Sequence, residues 1–169
     1  MGIKLAKALG NDVIAISSSP NKEGLVKEKG ADKFVCSKDP ESMKTCFGKC
    51  DLILNTVSAN HDINTYIPLL AKGGSTIVQL GGVMSPHTIK QFPMMVNRFS
   101  IAGSVIGGIK DTQEVVDLCF KHGIYPDCKM VLAKEIDWCW DQLQKINADG
   151  IRYVIDIKKS LQDQAFLPN

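Results

Sequence analysis

Three consecutive hydroxyls and an ammonium, on Ser17, Ser18, Ser19 and Lys22, stand close together just past a short apolar run, Val13-Ile14-Ala15-Ile16. Hydroxyls donate hydrogen bonds and an ammonium supplies a compact positive charge, so the group suits a phosphate monoester. No acidic residue stands among them, which disfavours a bare ribose diol as the preferred guest. The same stretch also reads as an ordinary strand end followed by a serine-rich turn closed by Pro20.

Further along, three other small or hydroxyl-bearing groups follow apolar runs. Thr56, in Asn55-Thr56-Val57-Ser58, offers a hydroxyl to a sugar, or is simply a β-branched strand residue. Gly81 and Gly82, followed by Val83, let backbone come close to a flat ring, or form a turn. Ser104, Val105 and Ile106, followed by Gly107 and Gly108, present backbone groups that could bond an amide, or form a flexible connection. His61, His87 and His122 form no HExxH and pair with no cysteine at ligand spacing. No serine–histidine–aspartate set or paired carboxylates can be argued, so no catalytic residue and no metal ligand is named. Cys36, Cys46, Cys50, Cys119, Cys128 and Cys139 contain no CxxC, and the reading is buried free thiols in a reducing compartment.

The elements that would position these groups alternate. MGIKLAKALG reads as a helix stopped by Gly10, with no capping residue before it. Strand Val13–Ile16 precedes a helix over 22–29 closed by Gly30, then strand Lys33–Cys36. Asp39-Pro40-Glu41 opens a helix with a cap, a proline at the first helical position and an acidic first turn. Strand Leu52–Val57, a helix over 63–70, strand Thr76–Leu80, a long loop with Pro86 and Pro93, and strand Ile101–Ile106 follow. Asp111 and Glu114 read as a capping box for the next helix, which Gly123 closes. After Pro126 the pattern changes: Asp137 caps a helix with Trp140, Leu143 and Ile146 or Asn147 on one face, and Ile151–Ile157 is a strand. The chain is expected to fray from Lys158. Such alternation implies an α/β fold with a doubly wound parallel sheet, whose ligands bind beyond the carboxyl ends of the strands. In a dinucleotide-binding sheet of this kind, the end of the second strand meets the adenosine ribose. Hydroxyls with a cation there accommodate the 2′-phosphate of NADP(H).

Bulk composition agrees with one globular chain of 169 residues, 44% hydrophobic and 22% charged. A net charge of +2 with signs interspersed leaves no nucleic-acid stripe. No signal peptide and no membrane-spanning run is read, so the expected location is cytoplasmic.

The segments MGIKLAKALG, VIAISSSPNK, DLILNTVSANHD, STIVQLGGV, SIAGSVIGGIKDTQE and ADGIRYVIDI together resemble the cofactor-binding half of zinc-dependent alcohol dehydrogenases of the cinnamyl-alcohol dehydrogenase type, from Met1 to about Ile157. The resemblance implies a Rossmann-like domain over 1–125 and a return into a catalytic domain over 126–169. It implies that Ser17, Ser18, Ser19 and Lys22 bind the 2′-phosphate. It puts Thr56 and Val57 along the cofactor, Gly81, Gly82 and Val83 beside the nicotinamide, and Ser104, Val105 and Ile106 on its carboxamide. It also implies alcohol–aldehyde interconversion and a homodimer paired through the strand 100–106.

The departures from that family pattern are large. The zinc ligands, the first Rossmann strand and the GxGxxG loop have no counterpart in this sequence. The expected fold is therefore a Rossmann-like sheet lacking its first strand and glycine-rich loop, with a C-terminal helix–strand appendage. The expected behaviour is weak or absent NADP(H) binding without turnover, zinc belonging to the parent family only. A non-catalytic truncated binding module and a zinc-free quinone reductase relative are the alternatives; a methyltransferase is disfavoured by the missing acid. The place of the absent strand is expected to be filled by Ile151–Ile157 or by a second chain.

Overall fold

The computed structural model describes residues 1–144 and 150–162. In chain order it has α1 (Gly2–Ala8), β1 (Ile14–Ser17), a 3-10 turn (Pro20–Lys22), α2 (Glu23–Glu28), β2 (Lys33–Cys36), α3 (Pro40–Lys44) and β3 (Leu52–Asn55). A 3-10 helix (Ile63–Leu69), β4 (Thr76–Gln79), α4 (Gln91–Asn97), β5 (Ser100–Gly103) and α5 (Ile109–His122) follow. The last elements are β6 (Cys128–Val131), a 3-10 turn (Ala133–Glu135), α6 (Ile136–Gln144), β7 (Arg152–Ile155) and α7 (Ile157–Gln162). The expected alternation of strand and helix is present, and all the strand pairs are parallel.

Two compact units divide the chain. One contains 14–20 and 33–115; the other contains 1–13, 21–32 and the described residues from 116 onward. In the first, β1 pairs with β2, and β3, β4 and β5 form a separate sheet in that order. Side-chain packing joins these two sheets. Val35, Met43, Cys46 and Leu69 form one buried cluster with Ile14, Ile16 and Ile53 against it. Ile63, Ile67, Leu70, Ile77 and Phe99 form another, which Ile53 also touches. The helix expected over 63–70 is wound as a 3-10 helix. Pro68 lies inside it and lacks the N–H an α-helix would use, while Asp62 accepts from Asn64 N at 2.9 Å to cap its start. Asp39 caps α3 as read, accepting from Glu41 N at 3.0 Å.

In the other unit, β6 and β7 pair, Cys128 opposite Arg152. Asp127 accepts from Lys4 at 3.0 Å and from Lys29 at 3.2 Å. Asp32 accepts from Lys7 and, at 2.7 Å, from the backbone of Val13.

Several expectations need correction. The strand near Ile151–Ile157 does not fill a gap beside β1 or β3; it pairs with β6, a strand too short and too exposed to read from periodicity. The loop with Pro93 contains α4, because a proline in the first turn gives up an N–H that has no helical partner there. Asp111 does not open α5. It sits in the first turn and accepts from Gly108 N at 2.9 Å, so the cap lies three residues earlier. Asp137 is likewise inside α6, whose approach is fixed by Glu135 accepting from Leu132 N at 2.7 Å. The chain continues past Lys158 as α7. Ile146 and Asn147 lie outside the described residues.

Candidate functional site

Asn55 ends β3, and its neighbours explain how two loops come together there. Its backbone carbonyl accepts from both Leu80 N at 2.8 Å and Gly81 N at 3.0 Å, so the chain leaving β4 folds against the end of β3. Its side-chain carbonyl accepts from Val57 N at 3.2 Å, turning Thr56 and Val57 over the strand end. The result is a close approach in which a Cβ on Gly81 would overlap the Val57 carbonyl, so the position demands glycine. Gly82, one residue on, faces open space.

These contacts bring Thr56, Val57 and Gly81 together, with Gly82 next in the chain. Thr56, Val57 and Gly82 are exposed, and Gly81 and Val83 are half-buried. Ser104, Val105 and Ile106 leave the adjacent strand β5 of the same sheet, fully exposed, with Ser104 N donating to Gln79 O at 3.1 Å. Three strand ends of one parallel sheet thus present small, hydroxyl-bearing or backbone groups at one edge.

Ser17 ends β1, and its hydroxyl accepts from Ser19 N at 3.2 Å, a serine turn that directs the chain out of the strand. No partner among the described residues engages the hydroxyls of Ser18 and Ser19 or the Lys22 ammonium. Lys22 closes the 3-10 turn that begins at Pro20 and belongs to the other unit.

Sequence reasoning passed over a polar network beneath the turn. Asn55, which is buried, has its amide nitrogen 2.7 Å from Gln79 Oε1 and 2.9 Å from His61 Nε2. His61 Nδ1 lies 2.7 Å from the Ala59 carbonyl. The Gln79 amide nitrogen is buried with no partner among the described residues. An asparagine in an otherwise apolar strand was the available signal, since a buried amide requires partners. Asn60, His61, Asp62, Asn64, Pro86, His87 and Thr88 line a polar cavity of about 480 Å³ beside it. Asp62 is held below the usual carboxylate range, chiefly by the Asn64 side-chain amide.

Gly82 with open space where a Cβ would stand, exposed Thr56 and exposed backbone at 104–106 are groups of the kind that the nicotinamide part of a dinucleotide requires. They do not offer a zinc site. Among the described residues no three His, Cys, Asp or Glu side chains are grouped to hold a metal ion.

The chain has matches among known proteins and solved structures. The family model described as zinc-binding dehydrogenase matches residues 1–121. A probable mannitol dehydrogenase of Medicago sativa is 41% identical over 161 residues, 95% of this chain and 44% of that protein. A cinnamyl alcohol dehydrogenase structure from Sorghum bicolor superposes with a TM-score of 0.86 at 32% identity, over 95% of this chain and 45% of that one. A cinnamyl alcohol dehydrogenase structure from Helicobacter pylori, complexed with NADP(H), gives 0.78 at 31% identity over 95% and 45%. The chain therefore spans less than half the length of the relatives it matches.

Proposed function

Because this chain belongs to the zinc-binding dehydrogenase family, we propose that it is the NADP(H)-binding part of an alcohol dehydrogenase acting on alcohols and aldehydes. The observation that carries the proposal is the packing of the Thr56–Val57 turn against Gly81 at the carboxyl ends of β3 and β4. In that reading Thr56 and Val57 line the cofactor near its nicotinamide ribose, and Gly81, Gly82 and Val83 admit the ring. Backbone of Ser104, Val105 and Ile106 holds the carboxamide, and Ser17, Ser18, Ser19 and Lys22 hold the 2′-phosphate. That the hydroxyls of Ser18 and Ser19 and the Lys22 ammonium have no partner among the described residues supports the last assignment.

When bound, NADP(H) supplies the hydride; these residues bind and orient it. The polypeptide splits functionally into a cofactor-binding part over 1–125 and a return segment over 126–169. In this reading the chain alone binds cofactor weakly and does not turn over. It pairs with a second copy through the outer edge of β5, which among the described residues has a partner strand on one side only. Among the described residues no helix is long and apolar enough to cross a membrane. Free thiols at all six cysteines support a reducing, cytoplasmic setting.

The test is ligand-dependent thermal stability of the full chain. Ligand that binds only the folded state raises Tm by mass action. NADPH should give a small rise and NADH a smaller one. A larger rise with NADH would overturn the assignment of the serines and Lys22.

A further inference from the structure

We propose that His61 is a positioning residue for the nicotinamide end of the cofactor, acting as the Nδ1-protonated neutral tautomer that locks Asn55 in one orientation. The inference rests on the cofactor assignment given above and extends it to residues that do not touch the ligand.

Donors and acceptors around the ring fix the tautomer. The Ala59 carbonyl only accepts, so the His61 nitrogen 2.7 Å from it, Nδ1, carries a proton. In the neutral ring Nε2 is then an acceptor, and the group 2.9 Å from it is the Asn55 amide nitrogen, a donor. The second proton of that amide goes to Gln79 Oε1 at 2.7 Å. This leaves the Asn55 carbonyl facing Val57 N, which donates to it at 3.2 Å. Every hydrogen-bonding group of Asn55 is used, and the orientations are mutually dependent. Flipping the Asn55 amide would set its NH₂ against the Val57 N–H and its oxygen against the oxygen of Gln79. A proton on His61 Nε2 would set donor against donor.

The same ring reaches the second loop. His61 packs edge-on against His87 at 5.5 Å between centroids, and against Tyr66 at 6.0 Å. His87 follows Gly81, Gly82 and Val83 on the chain leaving β4. One imidazole thus fastens the turn carrying Thr56 and Val57 and packs against the loop carrying Gly81 to Val83. The buried, unpartnered amide nitrogen of Gln79 is the cost of this arrangement.

Long-range ¹H–¹⁵N correlation spectra of the full chain at neutral pH read the tautomer directly. His61 should show a protonated Nδ1 and an unprotonated Nε2; the opposite pattern, or an averaged one, overturns the inference. Titration of NADPH and of 2′-phospho-ADP-ribose, which lacks the nicotinamide, then tests the role. His61→Phe keeps a ring and removes both hydrogen bonds. With the turn no longer held, it should weaken NADPH about tenfold and leave 2′-phospho-ADP-ribose unchanged. His61→Gln, which can both donate and accept, should recover most of the loss. Equal weakening of both ligands, or no weakening in His61→Phe, overturns the role of His61. Failure of the unsubstituted chain to bind either ligand overturns the cofactor assignment and the inference resting on it.

Discussion

Gly81 lies so close beneath Val57 that a single methyl group on it would overlap the Val57 carbonyl. The obstacle is backbone, which cannot swing aside as a side chain does. Gly81→Ala should therefore cost about 1–3 kcal/mol, the usual range for overpacking a tight site. It should also weaken NADPH, because the turn must shift to make room. Urea denaturation reads the first effect and NADPH titration the second. Gly82→Ala, in open space, should change stability little.

Lys22 follows Ser19 by three residues in the sequence and brings a positive charge to that stretch. Lys22→Ala should lower NADPH affinity about tenfold, equivalent to roughly 1.4 kcal/mol, and leave NADH affinity unchanged. Comparing the two dissociation constants checks this. Parallel loss with both cofactors would place Lys22 away from the 2′-phosphate.

A parallel strand turns its amides alternately to its two sides. Ser100 N and Ser104 N donate to carbonyls of Ser75 and Gln79 on the β4 side, so the amides of Ile101 and Gly103 face outward. A Cβ on Gly103 meets nothing within 4 Å. Gly103→Pro should then remove one outward donor and leave a monomer, whereas the unsubstituted chain should run as a dimer. Light scattering coupled to gel filtration decides it; a Gly103→Pro dimer would rule out pairing through this edge.

Acid should loosen the unit that contains α1 and β6. Asp32 is held below the ordinary carboxylate value, chiefly by the Val13 N–H and then by Lys7. Asp127 is held down by Lys4 and Lys29. A depressed folded pKa contributes stability above the unfolded value, near 3.8, which is lost as pH falls through the folded value. Lys29 is shifted the other way, chiefly by Glu28 and then Asp127. Its contribution is present below about 10.5 and is lost as pH rises through its higher folded value. Asp32 is exposed and Asp127 only half-buried, so solvent screening should keep the effect modest. Asp127→Asn should flatten the acid limb of a plot of urea midpoint against pH.

Thiol chemistry should separate the cysteines by burial. Cys128 is exposed, Cys46 and Cys139 are buried, and burial raises the Cys50 thiol above its usual range. Iodoacetamide followed by mass spectrometry should label Cys128 first and Cys50 slowly.

How far the sequence foretold this molecule depends on the range of the forces involved. Asp39-Pro40 predicts a helix start because the cap and the fixed proline φ act within one turn, and the structure has it. Gly30 and Gly123 end segments with positive φ, again a local property. Strand Lys33–Cys36 matches its reading residue for residue. What local reasoning missed is set by partners far along the chain. β6 exists because Arg152–Ile155 pairs with it. The meeting of Thr56, Val57 and Gly81 was anticipated only through the rule that parallel strands present their ends at one edge. The Asn55–His61–Gln79 network escaped because three polar residues, each unremarkable alone, become a unit only when β3 and β4 stand side by side.

No backbone bond joins the β1–β2 pair to the three-stranded sheet among the described residues, although both lean on Ile53. Each of β1 and β3 therefore keeps one flank of peptide groups uncommitted, and deuterium should enter those flanks far sooner than it enters β4, which is bonded on both sides. A folded unit with two such fast-exchanging flanks is joined there by grease alone, so solvents that weaken apolar contact should part the two ribbons before either one comes undone.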